Sequence, residues 1–148
     1  MDRTHTGKKQ VLVVDDNRDA ADTLAMLLEA EGCECHTAYS GQEALAIAER
    51  AQPDIVILDL FMPQMSGDEV ARALRRGPHG DDMTLVAHTA MSSYLHHDEI
   101  LDAGFDHHLV KPAPLEELLA LVSDDDEAVR RLAANEARRW PAPAAHRA

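Results

Sequence analysis

The sequence predicts an α/β domain of (βα)5 type, a doubly wound parallel sheet with helices on both faces. Three observations predict it. Short apolar runs of strand length recur, at Val11-Leu12-Val13-Val14, Ile55-Val56-Ile57-Leu58 and Leu85-Val86-Ala87. Runs of this kind bounded by polar residues mark parallel strands covered on both faces. Segments of helical periodicity separate them, so strand and helix alternate five times. The chain has 148 residues, 45% apolar and 28% charged, which suits one domain with a proper core.

Each element has its own signal. The first strand covers residues 10–14. Residues 17–31 carry Ala21, Leu24, Ala25 and Leu28 on one helical stripe, with Gly32 as a stop. Residues 33–38 form a weaker, polar strand. Ser40 with Glu43 reads as a capping box opening a helix that buries Ala44, Leu45 and Ala48. Pro53 ends it, and the third strand begins near Ile55. Phe61-Met62-Pro63-Gln64 reads as a loop. Ser66 with Glu69 reads as a second capping box, leading into Val70, Ala73 and Leu74. Gly77-Pro78-His79-Gly80 is a turn, the fourth strand covers 84–89, and a helix over 93–103 stops at Gly104. The fifth strand lies at 107–110. Pro114 suits the first turn of a helix with Leu115, Leu118, Leu119 and Val122 on one face. The second and fifth strands are the most polar, as suits edges in the order 2-1-3-4-5.

A further helix is expected over 123–139. Ser123 is its N-cap, acids fill its first turn, and Arg138-Arg139 its last, an order that complements the helix dipole. Asp126–Arg130 and Glu127–Arg131 have ion-pair spacing. Only Val129, Leu132 and alanines offer a buried stripe, so this tail reads either as solvated or as a partner-binding helix. Trp140 lies beyond the domain and either anchors the tail or does nothing.

Net charge is −13, from 14 basic and 27 acidic residues, which argues against nonspecific nucleic-acid binding. No apolar stretch approaches the ~18 residues of a membrane helix, and residues 1–10 lack the apolar region of a signal peptide. A cytoplasmic location is therefore expected, with no membrane partner. Cys33 and Cys35 should share one strand face as free thiols. The nine histidines include His96-His97 and His107-His108, but adjacent residues do not converge as chelates.

The carboxyl ends of the strands carry the chemistry. In an open α/β sheet ligands bind there. The first strand ends at Asp15-Asp16, the third at Asp59, the fourth at Thr89, the fifth at Lys111-Pro112. One pocket would then collect three carboxylates, a hydroxyl and an ammonium. Close carboxylates repel and call for a cation, and magnesium prefers such oxygen ligands. A carboxylate can also attack a phosphoryl group and form an acyl phosphate. Taken singly, each acid would pass as a strand-end cap; the joint placement points to phosphoryl chemistry.

At these motifs the sequence resembles the receiver domain of bacterial two-component response regulators. The matching residues are Asp15-Asp16, Asp59 with Met62-Pro63 downstream, Gly67, Thr89-Ala90, Gly104 and Lys111-Pro112, over about Lys9 to Val122. The resemblance implies the flavodoxin-like fold of chemotaxis regulators. It implies that Asp59 accepts phosphate from a histidine kinase or histidine phosphotransfer protein. Asp16 would ligate Mg2+ directly, Asp15 through water, and Asp59 and the Phe61 backbone carbonyl would complete the protein ligands. Thr89 and Lys111 would bind the phosphoryl oxygens, Ala90 would leave access, and the Lys111–Pro112 peptide would be cis. A downstream protein would read the phosphorylated state. At position 108 the family usually has Tyr or Phe, the side chain that rotates on activation; here it is His108. Phe61 and Met91 flank the expected line of water attack and neither can orient a water, which implies a long-lived phosphate.

Two other function classes fit less well. A haloacid-dehalogenase-type phosphatase needs a second Asp two residues after its nucleophile, and Asn17 stands there instead. A flavodoxin-like cofactor binder needs a Gly/Ser/Thr-rich phosphate loop where Asp15-Asp16-Asn17-Arg18-Asp19 stands. The expected division is a flexible N-terminus at 1–8, a receiver at 9–122 and a charged tail at 123–148. The 26 residues after Val122 are too few for an effector domain. The expectation is thus a receiver that is a phosphoacceptor rather than a turnover enzyme, or a fragment of a hybrid histidine kinase.

Overall fold

The structure, a computed structural model, describes residues 7–90 and 95–140. Five strands pair in parallel: β1 (Gln10–Val14), β2 (Glu34–Ala38), β3 (Ile55–Leu58), β4 (Thr84–Thr89) and β5 (His107–Val110). Their order is β2-β1-β3-β4-β5, as the polarity of the second and fifth strands suggests. The helices are α1 (Arg18–Ala30), α2 (Gly41–Ala51), α3 (Gly67–Arg76), α4 (His97–Asp102), α5 (Leu115–Leu121) and α6 (Asp126–Arg139).

Alternation along the strands divides the core in two. Leu12, Val14, Val56, Leu58, Leu85 and Ala87 face Ala44 and Ala48 of α2, Val70 and Leu74 of α3, and Ile100 of α4. Val11, Val13, Ile55, Ile57, Val86 and Leu109 face Leu24 and Leu28 of α1, Leu118 of α5 and Leu132 of α6. Each fully buried aliphatic side chain contributes about 1.5–3 kcal/mol. Cys33 and Cys35 do share a face, and both are free thiols.

The helix starts follow their caps, with corrections. The Ser40 hydroxyl accepts from the Glu43 N–H at 3.1 Å, but Glu43 reaches one residue further back, to the Tyr39 N–H at 2.6 Å. Glu69 accepts from the Ser66 N–H at 3.0 Å, as expected. Helix α4 begins at His97, not Ser93. His96 is extended, and its N–H donates to Glu99 at 2.9 Å, which fixes the start there. Ser93 itself lies outside the described residues, as do Met91 and nearly all of the expected flexible N-terminus.

The C-terminal third departs most from expectation. Pro114 caps α5 from outside, and Leu115 is half-exposed, whereas Glu117 is 3% exposed. Helix α6 starts at Asp126, with Asp125 accepting from the Glu127 N–H at 3.0 Å, so Ser123 is not its cap. Glu127–Arg131 forms at 3.5 Å. Leu132 is 2% exposed and belongs to the core, while Val129 is 40% exposed and does not. The tail helix is therefore seated on its own domain, and Glu117 is buried because α6 covers it.

At the amino-terminal ends of the strands, Arg75 ties the loops together. It donates to the carbonyls of Gly80 (2.6 Å), Met83 (2.8 Å) and Gly104 (2.7 Å) and pairs with Asp106 at 2.7 Å. Gly104 has φ +112°, and a side chain there would meet Arg75.

Candidate functional site

The strand-end residues are held by the sheet itself. The Asp15 N–H donates to Ala38 at 3.1 Å, the Asp59 N–H to Val14 at 3.0 Å, and the Lys111 N–H to Thr89 at 2.7 Å. Each extends the ladder by one bond past its strand, so the backbone under each functional side chain is fixed.

Carboxylate oxygens of Asp15, Asp16 and Asp59 lie within 4.8 Å of one another. Asp15 is 5% exposed, Asp16 is exposed, and Asp59 is half-buried. The Lys111 ammonium lies 2.7 Å from Asp15 and 3.6 Å from Asp59. The other Asp15 oxygen accepts from the Asn17 N–H at 3.0 Å. Burial pushes the Asp59 carboxyl up to about 6; Lys111 opposes this, and Asp15 and Asp16 add to it, while the Phe61 N–H bonds to the carboxylate. Burial works against the Lys111 ammonium, but Asp15 and Asp59 overcome it and raise its pKa.

The three acids thus hold negative charge that one lysine does not neutralise. An oxygen-rich cluster of this charge could hold a divalent cation, and suits the hard-ion preferences of Mg2+.

The loop after β3 needs its glycine. A Cβ on Gly67 would stand 2.2 Å from the Asp59 carbonyl oxygen and 2.7 Å from the Leu60 Cα. The Gly67 N–H instead donates to Leu60 at 2.8 Å. Phe61 projects outward, 80% exposed, and Ala90 is exposed at the end of β4. The Lys111–Pro112 peptide is cis. Thr89 is buried, its Oγ1 3.3 Å from Nε2 of buried His108. His88, the residue before Thr89 in β4, has its pKa lowered to about 4 by burial first and by Lys111 second.

His108 belongs to a three-ring stack that sequence reasoning missed. Its ring lies 4.1 Å from Trp140 at 7° and 5.3 Å from His97 at 12°, and His97 also stacks on Trp140 at 4.8 Å. The two histidine Nδ1 atoms are 3.0 Å apart. Burial lowers the His108 pKa to about 4, with His97 adding to the effect. Trp140 does anchor the tail. The available signal was the four-residue spacing Leu132, Glu136, Trp140, which puts a core residue, an acid and the sole tryptophan on one helical face.

A five-stranded parallel sheet in this order, with acids, a hydroxyl and a lysine at its carboxyl ends, defines a class of doubly wound α/β domains with an acidic pocket at the strand ends. A family model described as the response regulator receiver domain matches residues 11–123. The chain is 42% identical over 111 residues to the response regulator MprA of Mycolicibacterium vanbaalenii, covering 75% of this chain and 47% of that protein. It is 39% identical over 132 residues to MprA of Mycobacterium ulcerans, covering 84% and 56%. The chain spans about half the length of these curated relatives. Among solved structures, the chemotaxis protein CheY4 of Vibrio cholerae is 31% identical with a TM-score of 0.73, covering 85% of this chain and 99% of that one. A CheY-like receiver domain protein of Methanospirillum hungatei is 27% identical with a TM-score of 0.70, covering 89% and 99%. The chain belongs to the response regulator receiver family of two-component systems. Among the described residues no helix is long and apolar enough to cross a membrane.

Proposed function

We propose that this receiver takes a phosphoryl group from a phosphohistidine donor onto Asp59, with Mg2+ held by Asp15, Asp16, Asp59 and the Phe61 carbonyl. The observation that carries the reading is the convergence of three carboxylates within 4.8 Å of one another, two of them beside one ammonium. An Asp59 oxygen forms a bond to phosphorus while the N–P bond of the donor breaks, its electron pair returning to the imidazole nitrogen. Asp59 becomes an acyl phosphate. Bound Mg2+ would supply charge to neutralise the phosphoryl oxygens. Lys111, 3.6 Å from Asp59, donates to one of those oxygens, and the Thr89 hydroxyl to another. Ala90 leaves the approach open, and His108, beside Thr89, passes the change to the surface. The donor is a histidine kinase or phosphotransfer protein, and a downstream protein reads the result. The protein is a phosphoacceptor, not a turnover enzyme.

The test is incubation with a small acyl phosphate and Mg2+, followed by intact mass. One phosphate should add, and Asp59→Asn should add none. Labelling of Asp59→Asn to the wild-type extent would overturn the assignment.

A further inference from the structure

Helix α6 is seated by side chains that converge on one residue of the edge strand. β5 has β4 on one side only, so the outer N–H and C=O of His108 face no strand. Glu136 accepts from the His108 N–H at 2.8 Å, and the Trp140 indole N–H donates to the His108 carbonyl at 3.0 Å. The other Glu136 oxygen lies 2.8 Å from Nδ1 of His107. Side chains of α6 thus close the open edge that a sheet must cover. The same His108 touches the phosphate-sensing side of the domain, through Thr89 at 3.3 Å.

We propose that α6 with Trp140 is a latch closed over β5 and released when Asp59 is phosphorylated, the Thr89–His108 contact being the trigger. The proposal rests on the reading of Asp59 as phosphoacceptor. When the Thr89 hydroxyl turns to a phosphoryl oxygen, buried His108 loses its Nε2 partner. A buried polar group without a partner is unfavourable, so the ring leaves its position. Its movement disturbs the Trp140 stack and the two backbone bonds together, because all three are made to one residue.

The latch is built to open. Along α6 the fully buried apolar anchor is Leu132 alone among the described residues, and most of the helix faces solvent. A further anchor, on Glu117, takes Arg139 at 2.8 Å and Asn135 at 3.2 Å, and leaves Arg139 Nη1 and Glu117 Oε1 buried without partners among the described residues. An interface fastened by imperfectly paired polar groups has less to lose on separation than an apolar one.

Trp140 is the only tryptophan, so its fluorescence reports the latch in the full chain. The protein is phosphorylated with a small acyl phosphate and Mg2+, and intact mass gives the extent. Acrylamide quenching of Trp140 should rise and its emission shift to the red in step with that extent. Thr89→Val, phosphorylated to a measured extent, should show no rise. Phosphorylated wild type with unchanged quenching would overturn the latch and leave the phosphoacceptor reading intact. Absence of any phosphate by mass would overturn the reading and the latch with it. Coupling between two sites is reciprocal, so Trp140→Ala and Glu136→Gln should each bind beryllium fluoride with Mg2+ about fivefold or more tightly than wild type. Equal affinities would also overturn the latch.

Discussion

Neutralising Asp59 should stabilise the fold in metal-free buffer. In the structure its carboxyl is held at about 6 against an ordinary 3.8, by burial and by Asp15 and Asp16 against Lys111. A group whose folded pKa is raised contributes stability that is present below the unfolded value and lost as pH rises through the folded one. For Asp59 the loss therefore runs from about pH 4 to about pH 6 and is complete at neutral pH. At ~1.4 kcal/mol per tenfold change in proton affinity, the charged carboxylate costs about 2–3 kcal/mol at pH 7. Asp59→Asn removes that cost with little change of shape. For a chain of this size, ~2–4 °C of melting temperature per kcal/mol makes the gain roughly 4–12 °C. The assay is thermal unfolding of both proteins with chelator present, from pH 4 to pH 8. The gap should be wide at pH 7 and close towards pH 4, and Mg2+ should narrow it by stabilising wild type more. A variant no more stable than wild type at pH 7, or a gap that ignores pH, would refute the electrostatic account of the pocket.

Other expectations follow from single contacts. Gly67→Ala places a methyl 2.2 Å from the Asp59 carbonyl oxygen, and should lower the melting temperature and the extent of phosphorylation together, by a backbone displacement worth ~1–3 kcal/mol. His108 has the opposite pH sign to Asp59: its pKa is lowered to about 4, so its stability contribution is present above about pH 6.5 and lost as pH falls towards 4. Denaturant unfolding at stepped pH should show this loss, about 3 kcal/mol from His108, beside a loss of the same sign from His88, and His108→Tyr should remove the His108 share and leave that of His88. Phe61→Asn, which puts a water-orienting amide at an exposed position beside Asp59, should shorten the lifetime of the phosphorylated form severalfold once donor is removed; an unchanged decay would show that Phe61 does not screen the site.

The strands and the acidic pocket were legible because their signals are local. An apolar run of four or five residues ends in an acid, and the fold's geometry brings those ends together; nothing distant has to be known. The strand order agreed with polarity, since polar strands are tolerated at edges, but polarity alone did not single it out. Helix α6 was not legible. It is seated by Glu136, Arg139 and Trp140, residues ordinarily exposed, on Glu117, His107 and His108. A polar interface of this kind has no hydrophobic period, and the apolar reading chose Val129, which faces solvent, beside Leu132, which does not. The start of α4 was misplaced as well: the helix was expected from about residue 93, but the extended backbone at His96 and the acid at Glu99 decide where it begins. Arg75 was invisible because its partners are backbone carbonyls, whose positions only the folded loops define.

Arg75 gives the molecule unequal poles. Where the strands begin, one guanidinium fastens three loop carbonyls and Asp106, and the Asp106 carboxylate in turn accepts from the Leu85 N–H at 2.9 Å. Where the strands end, like charges crowd together with a single lysine among them. The first pole is stitched and the second is under tension, so transient opening should begin at the second. Amide hydrogen exchange should then be slowest around Thr84 and Leu85 and fastest in the loops that follow β1, β3 and β5. The end that receives the signal is the end already disposed to move, and the stitched end supplies the fixed frame against which that movement registers.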